Sequence, residues 1–159
     1  MSDQRSPRVV LLAGGVGGAR MAAGFVRALP GSALTVIVNV ADDDDFHGLR
    51  VCPDLDTILY TLSGQVDTKQ AWGVEGDATR ALNVLKRLGA KDTWMTLGDA
   101  DLGLHLYRTA RLHAGATLTE VSSEIAKSLG VNVRILPVSN DIGSTRVVTD
   151  QGLLRFQEW

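Results

Sequence analysis

A single cysteine, Cys52, is all that this 159-residue chain carries, so no internal disulfide can form and a reducing compartment fits best. No apolar run reaches the roughly 18 residues that a membrane-spanning helix needs. Neither sign of charge dominates. Sixteen Lys and Arg stand against 18 Asp and Glu, which excludes the basic excess of a nucleic-acid binder. Met1 to Arg8 is polar and lacks the apolar centre of a secretory signal. Internal repeats, linkers and low-complexity tracts are also missing. These absences point to a cytoplasmic chain that binds neither nucleic acid nor membrane. At this length one domain can bury roughly 70% of its unfolded surface.

What is present alternates between strand and helix patterns. Val9 to Ala13 is a short apolar run of the kind buried on both faces of a parallel sheet. Five residues, Gly14-Gly15-Val16-Gly17-Gly18, lead into a helical pattern from Ala19 to Leu29, stopped by Pro30 and Gly31. Leu34 to Val38 reads as a second strand, completing a right-handed βαβ unit. A polar, acid-rich loop spans Asn39 to Asp54. Helices are expected from Leu55 to Leu62, from Asp77 to Leu88 and from Asp99 or Asp101 to about Ala114. Thr117 and Glu120 form a capping box for a helix ending at Gly130. Thr93 to Leu97 and Val131 to Leu136 suit strands. Thr145 to Thr149 and Leu153 to Gln157 suit a hairpin at one edge of the sheet. The pattern predicts an α/β, Rossmann-like three-layer fold with a mostly parallel sheet and an edge β-hairpin.

Four segments carry chemistry, each with a plain structural alternative. Gly14, Gly15, Gly17 and Gly18 let the backbone turn and a phosphate approach the helix N-terminus, with Arg20 adding charge. The same glycines would also permit tight strand–helix packing. Counting from Gly15, Arg20 stands where a dinucleotide fingerprint wants Gly or Ala, and no Walker Gly-Lys-Ser/Thr follows. Asp42 to Asp45 repel one another unless solvated or bound to a cation, and oxygen-rich sites of this kind suit Mg²⁺. Asp54 and Asp56 follow Pro53 at a helix start. They flank Leu55, so one of them is expected to face the Asp42 loop, and a carboxylate there can also serve as a cap. Thr96-Leu97-Gly98-Asp99-Ala100-Asp101 is a strand end that could hold substrate, although capping explains either acid. Arg108 and His105 lie on the helix that follows, where a lone His is more often structural than catalytic; His113 and Cys52 also fit structural roles.

Taken in order, Val10 to Arg20, Cys52-Pro53-Asp54-Leu55-Asp56-Thr57, Leu97-Gly98-Asp99-Ala100-Asp101, Leu136 to Asp141 and Phe156 to Trp159 resemble the N-terminal half of the 2-phospho-L-lactate transferases. The resemblance implies transfer of a phospholactyl or phosphoenolpyruvyl group from a guanosine-diphosphate-linked donor to the deazaflavin Fo. The products would be F-420-0 or its dehydro form, and GMP. By motif, Asp42 and Asp54 would hold Mg²⁺. Asp56, as the catalytic group, and Thr96 would lie at the Fo hydroxyl, and Gly14 to Gly18 would cradle donor phosphate. The family tendency implies a homodimer. Two positions depart from the family pattern: Asp45 replaces an aromatic residue, and Ala100 replaces an arginine. Family members continue into a second half with a nucleotide-binding Ser-Asn-Pro motif, so residues 1–159 are expected to be one domain from a longer transferase, truncated after Trp159. Competing readings are a nucleotide-sugar-binding regulator of the same superfamily, an inactive fragment, or a nicotinamide-dependent oxidoreductase. The regulator branch typically shows Asp-Asp-Gly-Gly-Ser after the second strand, where this chain has Asp42-Asp43-Asp44-Asp45-Phe46.

Overall fold

A computed structural model describes residues 8–159. The polar segment Met1 to Pro7, which bears on the leader reading, lies outside the described residues. The chain opens with β1 (Val9–Ala13), α1 (Val16–Ala28) and β2 (Leu34–Val38). The acid-rich loop then folds into a small hairpin, β3 (Asp44–Phe46) and β4 (Leu49–Val51), turned by His47 and Gly48 at positive φ. Four helices follow: α2 (Pro53–Ser63), α3 (Arg80–Arg87), α4 (Asp99–His113) and α5 (Leu118–Ser128). The chain ends with β5 (Arg134–Pro137) and the hairpin β6 (Arg146–Thr149) and β7 (Gly152–Arg155). The α/β class with a parallel sheet and a hairpin is the expected one. None of the described helices is long and apolar enough to cross a membrane.

The sheet is parallel in the order β1-β2-β5, with Leu11 opposite Val36 and Val36 opposite Ile135. Leu34, Val36, Val38 and Ile135 point to one face. There they join Ala19 and Ala22 of α1, Leu55, Ile58 and Leu59 of α2, and Val121 and Ile125 of α5 in the main core. The other face carries no buried residue: Val10 is 61% exposed and Leu12 75%. The continuous run at Val9 to Ala13 therefore does not mark a strand buried on both faces, because no described element covers that second side.

The glycine loop sets how closely α1 lies on β1. A Cβ on Gly18 would sit 2.6 Å from the Cβ of Ala13 and 3.0 Å from its Cα. Backbone cannot yield as a side chain can. Gly18→Ala is therefore expected to lower stability by roughly 1–3 kcal/mol in urea unfolding. Gly17, whose added Cβ meets nothing within 4 Å, is the control. Its alanine variant should hold or raise the midpoint, since Ala gains up to about 1 kcal/mol over Gly inside a helix.

Several boundaries differ from expectation. Thr93 to Leu97 is not a strand. A turn with Asp92 at positive φ, closed by Met95 N–H donating to the Asp92 carbonyl at 3.2 Å, occupies it, and Leu97 packs with Phe46 and Val51 instead. The strand expected from Val131, β5, starts at Arg134. The helix expected from Asp77 starts at Arg80, because two acids cap each other's helices. Asp99 accepts from the Arg80 and Ala81 N–H groups of α3, at 3.3 and 3.0 Å. Asp77 accepts from the Ala100 and Asp101 N–H groups of α4, at 3.0 and 3.2 Å. Gly98 admits that contact, since a Cβ there would lie 2.0 Å from the Asp77 carboxylate. Thr117 and Glu120 do form their capping box. The β6–β7 hairpin pairs only with itself. It docks on the acidic loop through Thr145 N–H to the Ala41 carbonyl (2.6 Å) and Gln157 Nε2 to the Asp42 carbonyl (2.7 Å).

Candidate functional site

The C-terminal ends of β1 and β2 meet the start of α2, the place where open parallel sheets bind ligands. Asp54, in the first turn of α2, presses its carboxylate against the glycine loop. A Cβ on Gly15 would come within 2.8 Å of Asp54 Oδ1, so glycine is required there for the acid to approach. Asn39, just past β2, donates from Nδ2 to Asp54 Oδ2 at 3.0 Å. The residue before α2, Cys52, makes no side-chain cap bond. Asp42 is raised from its ordinary carboxylate value by burial and then by the charge of Asp54. Two carboxylates that repel in this way, with no ion-pair partner among the described residues, form a pair suited to a hard cation.

A cavity of about 350 Å³ opens beside this pair. Gly15, Asp54, Asp56 and Thr96 all line it, so the structure gathers four of the expected site residues around one space. Gly14, Gly17, Gly18, Arg20 and Asp42 are not in its wall. Gly17 and Arg20 are exposed, and packing on Ala13 accounts for Gly18 being glycine. Asp45, at the first departure from the family pattern, is exposed and paired with Arg50 at 2.9 Å. Both Asp54 and Asp56 touch the cavity, although they point differently. Asp54 leans toward the glycine loop, whereas Asp56 turns toward α4.

Asp56 is not free. Arg108, 1% exposed, grips it with two nitrogens: Nη1 donates to Oδ2 at 3.1 Å and Nη2 to Oδ1. Nη1 also reaches the Arg50 carbonyl at 3.4 Å and His105 Nδ1 at 3.2 Å. Burial works against the Arg108 charge, but the neighbouring Asp56 outweighs it and holds the guanidinium above its ordinary value. Arginine only donates, so Nδ1 of His105 accepts, and in the neutral ring the proton lies on Nε2. Nε2 sits 3.2 Å from Asp101 Oδ2, yet misaligned, and has no hydrogen-bonded partner. Tyr60 donates its hydroxyl to Asp101 Oδ1 at 2.6 Å. Burial raises Asp101, but the contact with His105, its charge, and the Tyr60 hydroxyl bring it below the ordinary value. Burial, then Asp56 and Asp101, push Tyr60 up, so it stays a donor.

His105 lines the cavity and Arg108 holds Asp56 beside it, so both belong to the candidate site, which the sequence did not single out. The signal was present: Asp101, His105 and Arg108 fall at i, i+4 and i+7, one face of a helix. Asp56, Asp101 and His105 also offer one atom each within 4.8 Å of one another, a group that could hold a metal ion. Arg108 occupies both oxygens of Asp56 and adds a positive charge, which leaves Asp42 and Asp54 the less encumbered pair for a cation. Cys52 is buried, and burial pushes its thiol well up.

Beside this network Asp43 is buried, and burial lifts it from 3.8 to about 7 against the hydrogen bond with Cys52 and the charge of Arg108. Between those values the folded chain holds a proton that the unfolded chain has released. Stability attributable to this group falls as pH rises from about 4 to about 7, and levels off above. In EDTA, the urea midpoint of Asp43→Asn should fall less across that window than that of the parent.

Residues 9–159 match the family described as 2-phospho-L-lactate transferase CofD. A phosphoenolpyruvate transferase of Nocardia farcinica is 42% identical over 160 residues, covering 96% of this chain and 48% of its own length. Those of Mycobacterium tuberculosis and Streptomyces avermitilis are 41% and 40% identical, over 96% of this chain in each case. The chain spans about half the length of these relatives. A Bacillus halodurans protein of the UPF0052 family shares the fold, with a TM-score of 0.56, 23% identity, and coverage of 98% of this chain and 47% of that one. The chain belongs to the 2-phospho-L-lactate transferase CofD family.

Proposed function

We propose that the chain is the N-terminal domain, residues 1–159, of a Mg²⁺-dependent transferase. It moves a phosphoenolpyruvyl or phospholactyl group from a guanosine-diphosphate-linked donor to the terminal hydroxyl of Fo. The 40–42% identity to phosphoenolpyruvate transferases favours the enolpyruvyl donor. The observation that carries the proposal is the single cavity shared by Gly15, Asp54, Asp56 and Thr96.

In the reaction the Fo hydroxyl oxygen bonds to the phosphorus that bears the three-carbon acid. The bond from that phosphorus to GMP breaks, and the hydroxyl proton is released. Such transfers depend mostly on positioning and charge neutralisation. Mg²⁺ held by Asp42 and Asp54 would supply charge neutralisation for the diphosphate. The free N–H groups at the start of α1 would meet the donor phosphate. Asp56, held in place by Arg108, accepts a hydrogen bond from the incoming hydroxyl and orients it. Its pairing suits it to orienting more than to taking the proton. Thr96 offers a second hydrogen bond. The protein acts in the cytoplasm as a homodimer.

The test is GMP release from the guanosine-diphosphate donor, followed with and without Fo. Release that requires both Fo and Mg²⁺ supports the proposal. The same Fo-independent background with every donor would remove transferase activity from this chain.

A further inference from the structure

The cavity wall combines acids, Asp54, Asp56 and Asp101, with apolar side chains, among them Val51, Met95 and Trp72. A volume of about 350 Å³ is within the range of small-ligand pockets, roughly 300–1,000 Å³. Trp72 belongs to neither buried cluster and is 44% exposed. It also lines an adjoining space of about 190 Å³, which shares Gly73, Thr96 and Asp101 with the larger one. A large indole is thus held at the boundary of the site instead of being spent on the core.

The turn that holds it is costly. Ala71 has φ 65° and Gly73 φ 70°, so a residue with a side chain sits in the left-handed region immediately before Trp72. That conformation is unfavourable for an L-residue. Asp67 fastens the turn from four directions. Its N–H donates to the Gly73 carbonyl at 3.0 Å, and its carbonyl accepts from Ala71 N–H at 2.7 Å. Its carboxylate accepts from the N–H groups of Lys69 at 2.8 Å and Gln70 at 3.4 Å. Strain retained by such over-determined bonding collects at functional sites.

We infer that Trp72 is the specificity-determining wall of the acceptor site, stacking on a planar fused-ring aromatic group whose hydroxyl-bearing tail reaches the Asp54 and Asp56 side. This rests on the transferase reading, with the deazaflavin of Fo as the planar group. Stacking selects by shape and π-surface, so it accepts a flat ring without reading its hydrogen bonds. The tail then presents its terminal hydroxyl to the acids, while the ring stays against Trp72.

Tryptophan emission is the readout, with Trp72→Ala and Trp72→Phe compared against the parent 159-residue chain. Fo should quench the emission of the parent, and much of that quenching should vanish in Trp72→Ala. The Kd for Fo should rise about tenfold or more in Trp72→Ala, from the roughly 1–3 kcal/mol that aromatic stacking supplies. Trp72→Phe should recover most of the affinity. Mn²⁺, a spectroscopic probe of the metal pair, should bind all three proteins alike. Fo binding Trp72→Ala as tightly as the parent would overturn the inference and leave the transferase reading standing. Loss of Mn²⁺ binding in Trp72→Ala would also overturn it, by making Trp72 a structural support. Fo failing to bind the parent would remove the transferase reading, and this inference with it.

Discussion

Replacing Arg108 with Met should destabilise the protein by about 3–5 kcal/mol, the usual consequence of removing one partner of a buried ion pair. For a chain of this size that is a fall in Tm of roughly 6–20 °C. The guanidinium does more than pair with Asp56. It also ties α4 to the Arg50 carbonyl of β4 and fixes the ring of His105. Without it, Asp56 keeps its burial and loses its counter-charge. Asp56→Leu alone should be harmful for the converse reason, leaving a buried cation unpaired. The double variant, Asp56→Leu with Arg108→Met, should be less destabilised than the sum of the two singles, by several kcal/mol. Thermal unfolding followed by circular dichroism measures all three. Additive losses would mean that the pair is not the unit described here.

Asp54→Asn should behave in the opposite way, losing activity without losing the fold. In metal-free buffer it removes the like charge that raises Asp42, so its Tm should hold or increase. The stabilisation that saturating Mg²⁺ gives the parent, about 2.7 kcal/mol at 100 times Kd, should disappear. Turnover should fall about a thousandfold, which corresponds to the several kcal/mol a bound metal contributes at a transferring phosphoryl group. Titrating Mg²⁺ during thermal unfolding of both proteins separates the two effects. An Mg²⁺-dependent rise in Tm that survives in Asp54→Asn would move the metal elsewhere, with the Asp56, Asp101 and His105 group the next candidate.

The local patterns that predicted the fold are those whose physics is local. The run Val9 to Ala13, the glycines, the Pro30 stop and the Leu34 to Val38 run specify β1, α1 and β2 without reference to anything distant. The Thr117 and Glu120 box is likewise a four-residue device. What was not legible depended on partners far along the chain. Asp77 and Asp99 each look like the cap of the helix they precede, and only their folding side by side turns each onto the other's helix. The β-like pattern of Thr93 to Leu97 finds no strand to pair with and instead buries Leu97 against Phe46. In the site, Asp54 and Asp56 were readable from Cys52 to Thr57, but Arg108 comes from 52 residues beyond Asp56. Its helix face, shared with Asp101 and His105, was the one sequence signal for it. Trp72 sits in a loop with no periodicity at all, and only the shape of the Asp67 to Gly73 turn shows where its ring is held.

The central claim, that one cavity binds the acceptor next to a carboxylate-held metal, is tested most directly by calorimetric titration of Fo into this 159-residue chain. The titration is run alone, with Mg²⁺, and with Mg²⁺ and GDP. Fo should bind, the affinity should increase when metal and nucleotide are present, and Asp54→Asn should abolish the increase. No heat from Fo or from GDP under any of the three conditions would contradict it.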